Sequence, residues 1–115
     1  MSNRQFIIAR TLHPKALAAL GEEACIVALE VARDLRDGTI PPERYNQVSI
    51  CGSVCCIAGH MARRLGVDVF TLYFTHDLRA DLFNGAHPSD PLLAADAIER
   101  YVYDGSETPW NPWNP

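Results

Sequence analysis

Between Pro14 and Arg36 the apolar residues Leu17, Leu20, Ala24, Ala28, Val31 and Leu35 recur at steps of three and four. That spacing is the stripe of an amphipathic helix, which has to bury one side against something. A stripe this long in a chain of 115 residues sets the problem for the remainder, which must supply the covering elements. Pro14 suits the first helical turn, where a missing N–H leaves no acceptor unsatisfied, and Gly38 suits a left-handed stop. Gly21 interrupts the stripe and is expected to split it, since glycine inside a helix costs about 1 kcal/mol relative to alanine.

The following stretch, TIPPERYNQVSI, has two adjacent prolines and no sustained period, which predicts a loop or a single turn with Tyr45 as a packing anchor. A second helix is expected from Val54 to Leu65, with Ser53 as its cap, Gly52 allowing the sharp entry and Gly66 ending it. A third, shorter helix is expected over residues 75–83, stopped by Asn84 and Gly85. The fourth starts at Ser89 or Asp90, has Pro91 in its first turn, and carries Leu92 or Leu93, Ala97, Ile98, Tyr101 and Val102 on one side before Asp104 and Gly105. Phe6, Ile7 and Ile8 suit one short extended segment. Four helical pieces without an alternating strand pattern predict an all-α fold, a small single domain arranged as an irregular bundle over residues 1–105. Residues 106–115 form a tail that repeats Trp-Asn-Pro and is expected to dock on the domain or on a partner, with Trp110 and Trp113 as the interaction residues, because two indoles would otherwise stand in water.

Apolar residues make up 48% of the chain and charged ones 21%, ordinary values for a globular protein. A chain of this length buries roughly two thirds of its unfolded surface without a metal or disulfide. The net charge of −4 and the scattered basic residues argue against general attraction to nucleic acid. No segment approaches the roughly 18 apolar residues of a membrane helix, and the opening MSNRQFIIART is too short in apolar content for a secretory signal. The expectation is a cytoplasmic protein whose cysteines stay reduced.

Residues 51–60, CGSVCCIAGH, hold three of the four cysteines and one of the four histidines. With Ser53 as cap, the helical wheel turns Cys55 inward and places Cys56, His60, Arg63 and Arg64 on the opposite side. Cys56 would then lie near free backbone N–H groups, the positive end of the helix dipole, His60 and Arg63, all of which favour thiolate. Cys51 could fold back to the same helix end. Three chemistries fit: a thiol couple of Cys56 and His60, a reversible Cys51–Cys56 disulfide, or a zinc site using Cys51, Cys56 and His60 with Cys25, His76 or His87 as fourth ligand. Against zinc stands the lack of a second close ligand pair; against catalysis, the lack of an orienting carboxylate or oxyanion device. The alternative is packing: Gly59, Ala62 and Gly66 leave a small-residue groove for close approach, and buried cysteine behaves as a small hydrophobe. His13 before Pro14 suits a helix entry.

Pro42-Glu43-Arg44-Tyr45-Asn46-Gln47, Cys51-Gly52-Ser53, Cys56, Ala58-Gly59-His60, Leu65-Gly66 and Leu82-Phe83 together resemble a group of small uncharacterised bacterial and phage proteins with a C-G-T-x-x-C-x-A-G-(W/H) motif. The resemblance covers residues 14–104. This chain departs from it in Ser53 for Thr, in Cys55 where a small residue such as Ala is usual, and in the tail. It implies a helical fold and singles out Cys51 and Cys56, but it implies no reaction. Residues 58–75 also match the spacing of a helix-turn-helix, with Gly66 at the turn. Its second helix would present Phe70, Tyr73 and Phe74, with Asp68 at its start, a poor set for bases or phosphates. The sequence therefore points first to a small interaction or regulatory protein without demonstrated catalysis, one that binds a protein partner or a second copy of itself. A Cys/His metal or thiol-redox protein is the alternative, and a DNA reader the next.

Overall fold

Pro14–Asp37 forms helix α1, the element that the long apolar stripe demands. The computed structural model describes residues 11–46, 56–84, 87 and 89–111. The remaining helices are α2 (Ile57–Leu65), α3 (Val69–Thr75) and α4 (Pro91–Asp104), with short 3-10 turns at Pro42–Arg44 and Asp81–Phe83 and no strand among the described residues. The all-α expectation holds.

His13 caps α1, its Nδ1 accepting the Lys15 N–H at 3.1 Å. Gly21 is non-helical at φ 82°, ψ 165°, a conformation reserved for glycine, and the helix kinks there. A kink releases carbonyls of the preceding turn from their helical donors. One of them, Ala19 O, accepts the Asp77 N–H at 3.0 Å, so the break in α1 anchors the segment that follows α3.

Helix α4 begins as its punctuation predicts: the Asp90 carboxylate accepts from Leu92 N–H at 2.9 Å and Leu93 N–H at 3.2 Å, with Pro91 in the first turn. It forms with α1 the largest helix–helix contact of the fold. Val27, Ala28 and Val31 of α1 and Ala94, Ala97, Ile98 and Val102 of α4 are all essentially inaccessible. Burying each of the larger side chains contributes about 1.5–3 kcal/mol. Arg36 forks onto Asp96 and Glu99 at the edge of this pair. Helix α2 packs on α1, and α3 packs on α2.

Two expected elements fall elsewhere. Helix α2 starts at Ile57, capped by Cys56 and not by Ser53. The helix expected over residues 75–83 is absent; α3 ends at Thr75, and among the described residues the 3-10 turn at residues 81–83 is the only helical piece that follows before α4. The reason lies at Asp77. Its N–H is taken by Ala19, and its carboxylate accepts from Arg79 N–H at 3.1 Å and Arg79 Nε at 3.0 Å, a local turn that competes with helix propagation. Phe6–Ile8, Cys51, Ser53, Cys55, Gly85 and Trp113 lie outside the described residues.

Candidate functional site

Cys56 sits in extended backbone (φ −76°, ψ −178°) at the start of α2, and its Sγ accepts the Gly59 N–H at 3.4 Å. The sulfur thus does the work of a capping oxygen at the positive end of the helix. The residue is 8% exposed and His60 is 7% exposed, which corrects the expectation that both face outward. A helical wheel separates two sides of α2, but Ile57 to Ala62 are all buried. The His60 side is covered by the loop after α1, where the His60 ring Nε2 lies 2.9 Å from the Arg44 carbonyl. A carbonyl only accepts, so Nε2 carries the proton and donates.

Burial disfavours the charged imidazole and holds the His60 pKa below its ordinary value; the hydrogen bond to Arg44 opposes this, and the charges of Arg63 and Arg64 reinforce it. The unfolded chain, whose imidazole titrates near 6.5, therefore binds a proton more readily than the folded one. Stability from this residue is complete above about pH 6.5 and declines as the pH falls through that value, until the folded imidazole also protonates. Urea titrations at pH 7.5 and 5.5 should show a smaller stability loss for His60→Gln than for the unsubstituted protein. An identical loss in both would mean that His60 does not carry this dependence.

The other sequence-selected ligands are dispersed. Cys25 is buried in α1 beside Tyr101 of α4, and desolvation pushes its thiol up to about 11, making it a packing residue and not a nucleophile. His76 Nδ1 lies 2.8 Å from the Thr75 hydroxyl. His87 pairs with Asp81 at 2.8 Å and stacks on Trp110, with ring centroids 4.9 Å apart. Among the described residues no three His, Cys, Asp or Glu side chains converge as a metal site; Cys51 lies outside them. Trp110 turns back onto the domain and donates from Nε1 to the Leu82 carbonyl at 3.2 Å, while Arg100 holds the Pro109 carbonyl at 2.7 Å.

Two surfaces remain. The first is helix α3. Asp68 caps it by accepting the Thr71 N–H at 2.8 Å, and Val69 and Leu72 face the core. Phe70, Tyr73 and Phe74 are left 65%, 45% and 89% exposed. Helix α2, the left-handed Gly66 and α3 do form two helices joined by a glycine turn, with Gly66 N–H and Val67 N–H donating back into the end of α2. The outward face of the second helix is aromatic. The second surface is an open cleft over His60 between the loop after α1 and the C-terminal end of α2. Behind it stands Asp34, nearly buried and ion-paired with Arg33 and Arg64. Sequence reading passed over Asp34; its signal is a position one helical turn after Val31, inside the apolar stripe.

No protein-family model, curated protein or solved structure matches this chain.

Proposed function

We propose that the chain is a small interaction module that docks on another protein through the aromatic face of α3. The observation that carries this reading is the exposure of Phe70, Tyr73 and Phe74 within one helix of 7 residues. A large apolar side chain left in water forgoes about 1.5–3 kcal/mol of burial. Three together, capped and held in place by the buried Val69 and Leu72, make a surface of the kind that marks protein interfaces, where aromatics are enriched. The same face argues against groove reading, because Phe, Tyr and Phe offer neither the forked donors that read guanine nor charge for phosphates. The buried, neutral His60 and the capping role of Cys56 favour a structural part for both over a reactive one.

A photo-crosslinking phenylalanine analogue at position 74 should capture a discrete protein, either a second copy or a different chain, upon irradiation in cells. Phe70→Ser in the same chain should reduce that capture by tenfold or more with little change in thermal stability, since the side chain is largely solvent-exposed. Capture that is diffuse, or unaltered by Phe70→Ser, removes α3 as the docking face.

A further inference from the structure

The cleft over His60 is lined by residues 39–41, Arg44, His60, Arg63 and Arg64, and encloses about 260 Å³. Three of the chain's ten basic residues line it and none of its fourteen acidic ones does, in a protein of net charge −4. The nearby carboxylate of Asp34 is only 4% exposed and has its two oxygens directed at Arg33 and Arg64. Asp34 therefore acts as a holder: it fixes Arg64 through one nitrogen, and a guanidinium has five N–H donors. Arg44 arrives from the opposite wall, its backbone pinned to α2 by the His60 hydrogen bond. The C-terminal end of α2 contributes a negative dipole of roughly half a charge, and Asp34 shares its one negative charge between Arg33 and Arg64, which leaves the cleft cationic. Pro41 gives one wall an apolar surface, with Ile40 buried behind it.

We propose that this cleft binds a phosphate monoester, the phosphoryl oxygens taking the forked donors of Arg44, Arg63 and Arg64 and a small organic substituent resting on Pro41. Guanidinium forks match phosphate oxygens two at a time, and their charge cannot be titrated away near neutral pH. The inference is independent of the α3 face, which lies on a different helix and needs no anion.

Inorganic phosphate serves as the probe, with potassium chloride at equal ionic strength as reference, on the full chain labelled with nitrogen-15. Phosphate should produce saturable shifts in the His60 ring and in the Arg44, Arg63 and Arg64 side-chain N–H signals, with a dissociation constant on the order of 1 mM. The double variant Arg44→Gln, Arg63→Gln should bind at least tenfold more weakly. Arg79→Gln, whose side chain is 91% exposed elsewhere, should bind as the unsubstituted protein does. Vesicles of phosphatidic acid in phosphatidylcholine separate the two sources of such a group: sedimentation with them, lost in the double variant, assigns a lipid headgroup, whereas phosphate binding without sedimentation assigns a soluble ligand. The cleft is not a phosphate site if chloride reproduces the shifts, if they centre away from His60, or if the double variant retains full affinity. Should that variant fail to fold, the location of the shifts in the unsubstituted protein still decides.

Discussion

Gly105→Ala is expected to destabilise the protein by about 2 kcal/mol, about twice the same change at Gly66. Both glycines are left-handed helix stops, at φ 66° and φ 75°, and at either an alanine pays about 1 kcal/mol for that conformation. They differ in what lies in front of them. A Cβ at Gly66 meets nothing within 4 Å, whereas at Gly105 it would lie 2.4 Å from His13 Nδ1 and 2.5 Å from Cε1. The His13 ring cannot simply swing away, because Nδ1 caps α1 and the His13 N–H is bound to the Val102 carbonyl at 2.8 Å. Displacing it forfeits a cap, worth about 1 kcal/mol, at the point where the start of α1 meets the end of α4. Chemical denaturation of the two alanine variants gives the comparison directly. Introducing Gly105→Ala into a His13→Ala background should reduce its effect to about that of Gly66→Ala; an undiminished effect there would show that the ring is not the obstacle.

This contact also shows which parts of the fold are legible in a single sequence. The ends of α1 and α4 are written in local chemistry: Pro14 and Gly38, Asp90, Pro91 and Gly105 each act on the backbone within a turn of themselves. That Gly105 and His13 touch is tertiary and has no local signature. The start of α2 is misread for a related reason. Ser53 is a better cap than cysteine by intrinsic preference, yet the chain uses the Cys56 sulfur, with Ile57 and Ala58 directly after it buried in the core. Helix α3, of composition VFTLYFT, has weak intrinsic helix preference, and the stretch after it looks more helical. Burial of Val69 and Leu72 behind an Asp68 cap overrides that preference. The helix-turn-helix spacing did place an element there. The candidate site was half legible. Cys56 and His60 are at functional-looking spacing, but a wheel cannot tell that a helix of 9 residues will be covered on both sides. The cationic cleft could not be found along the chain, because Arg44 and the Arg63–Arg64 pair meet only after α2 folds against the loop following α1.

Asp34→Ala should cost about 2–3 kcal/mol and broaden the conformations of Arg64. The carboxylate is only 4% exposed, whereas its partners Arg33 and Arg64 are 39% and 29% exposed. Removing one member of a fully buried pair costs about 3–5 kcal/mol because an uncompensated charge is left in the interior. Here the arginines reach water, so the loss falls below that range, yet it stays above the roughly 0–1 kcal/mol of a surface pair. Its position within the apolar stripe of α1 means that the truncation also leaves a gap beside the core. If the abandoned Arg64 charge is the main penalty, adding Arg64→Met to Asp34→Ala should recover part of the loss, as replacing both members of an ion pair by apolar groups generally does. Urea denaturation of the two single variants and the double variant measures this. A loss below about 0.5 kcal/mol for Asp34→Ala, in the range of an ordinary surface substitution, would show that the pairing with Arg33 and Arg64 does not stabilise the fold. The single variant Asp34→Ala has a second use: with the holder gone but Arg44, Arg63 and Arg64 all present, phosphate affinity should still fall, tying the buried carboxylate to the geometry of the cleft.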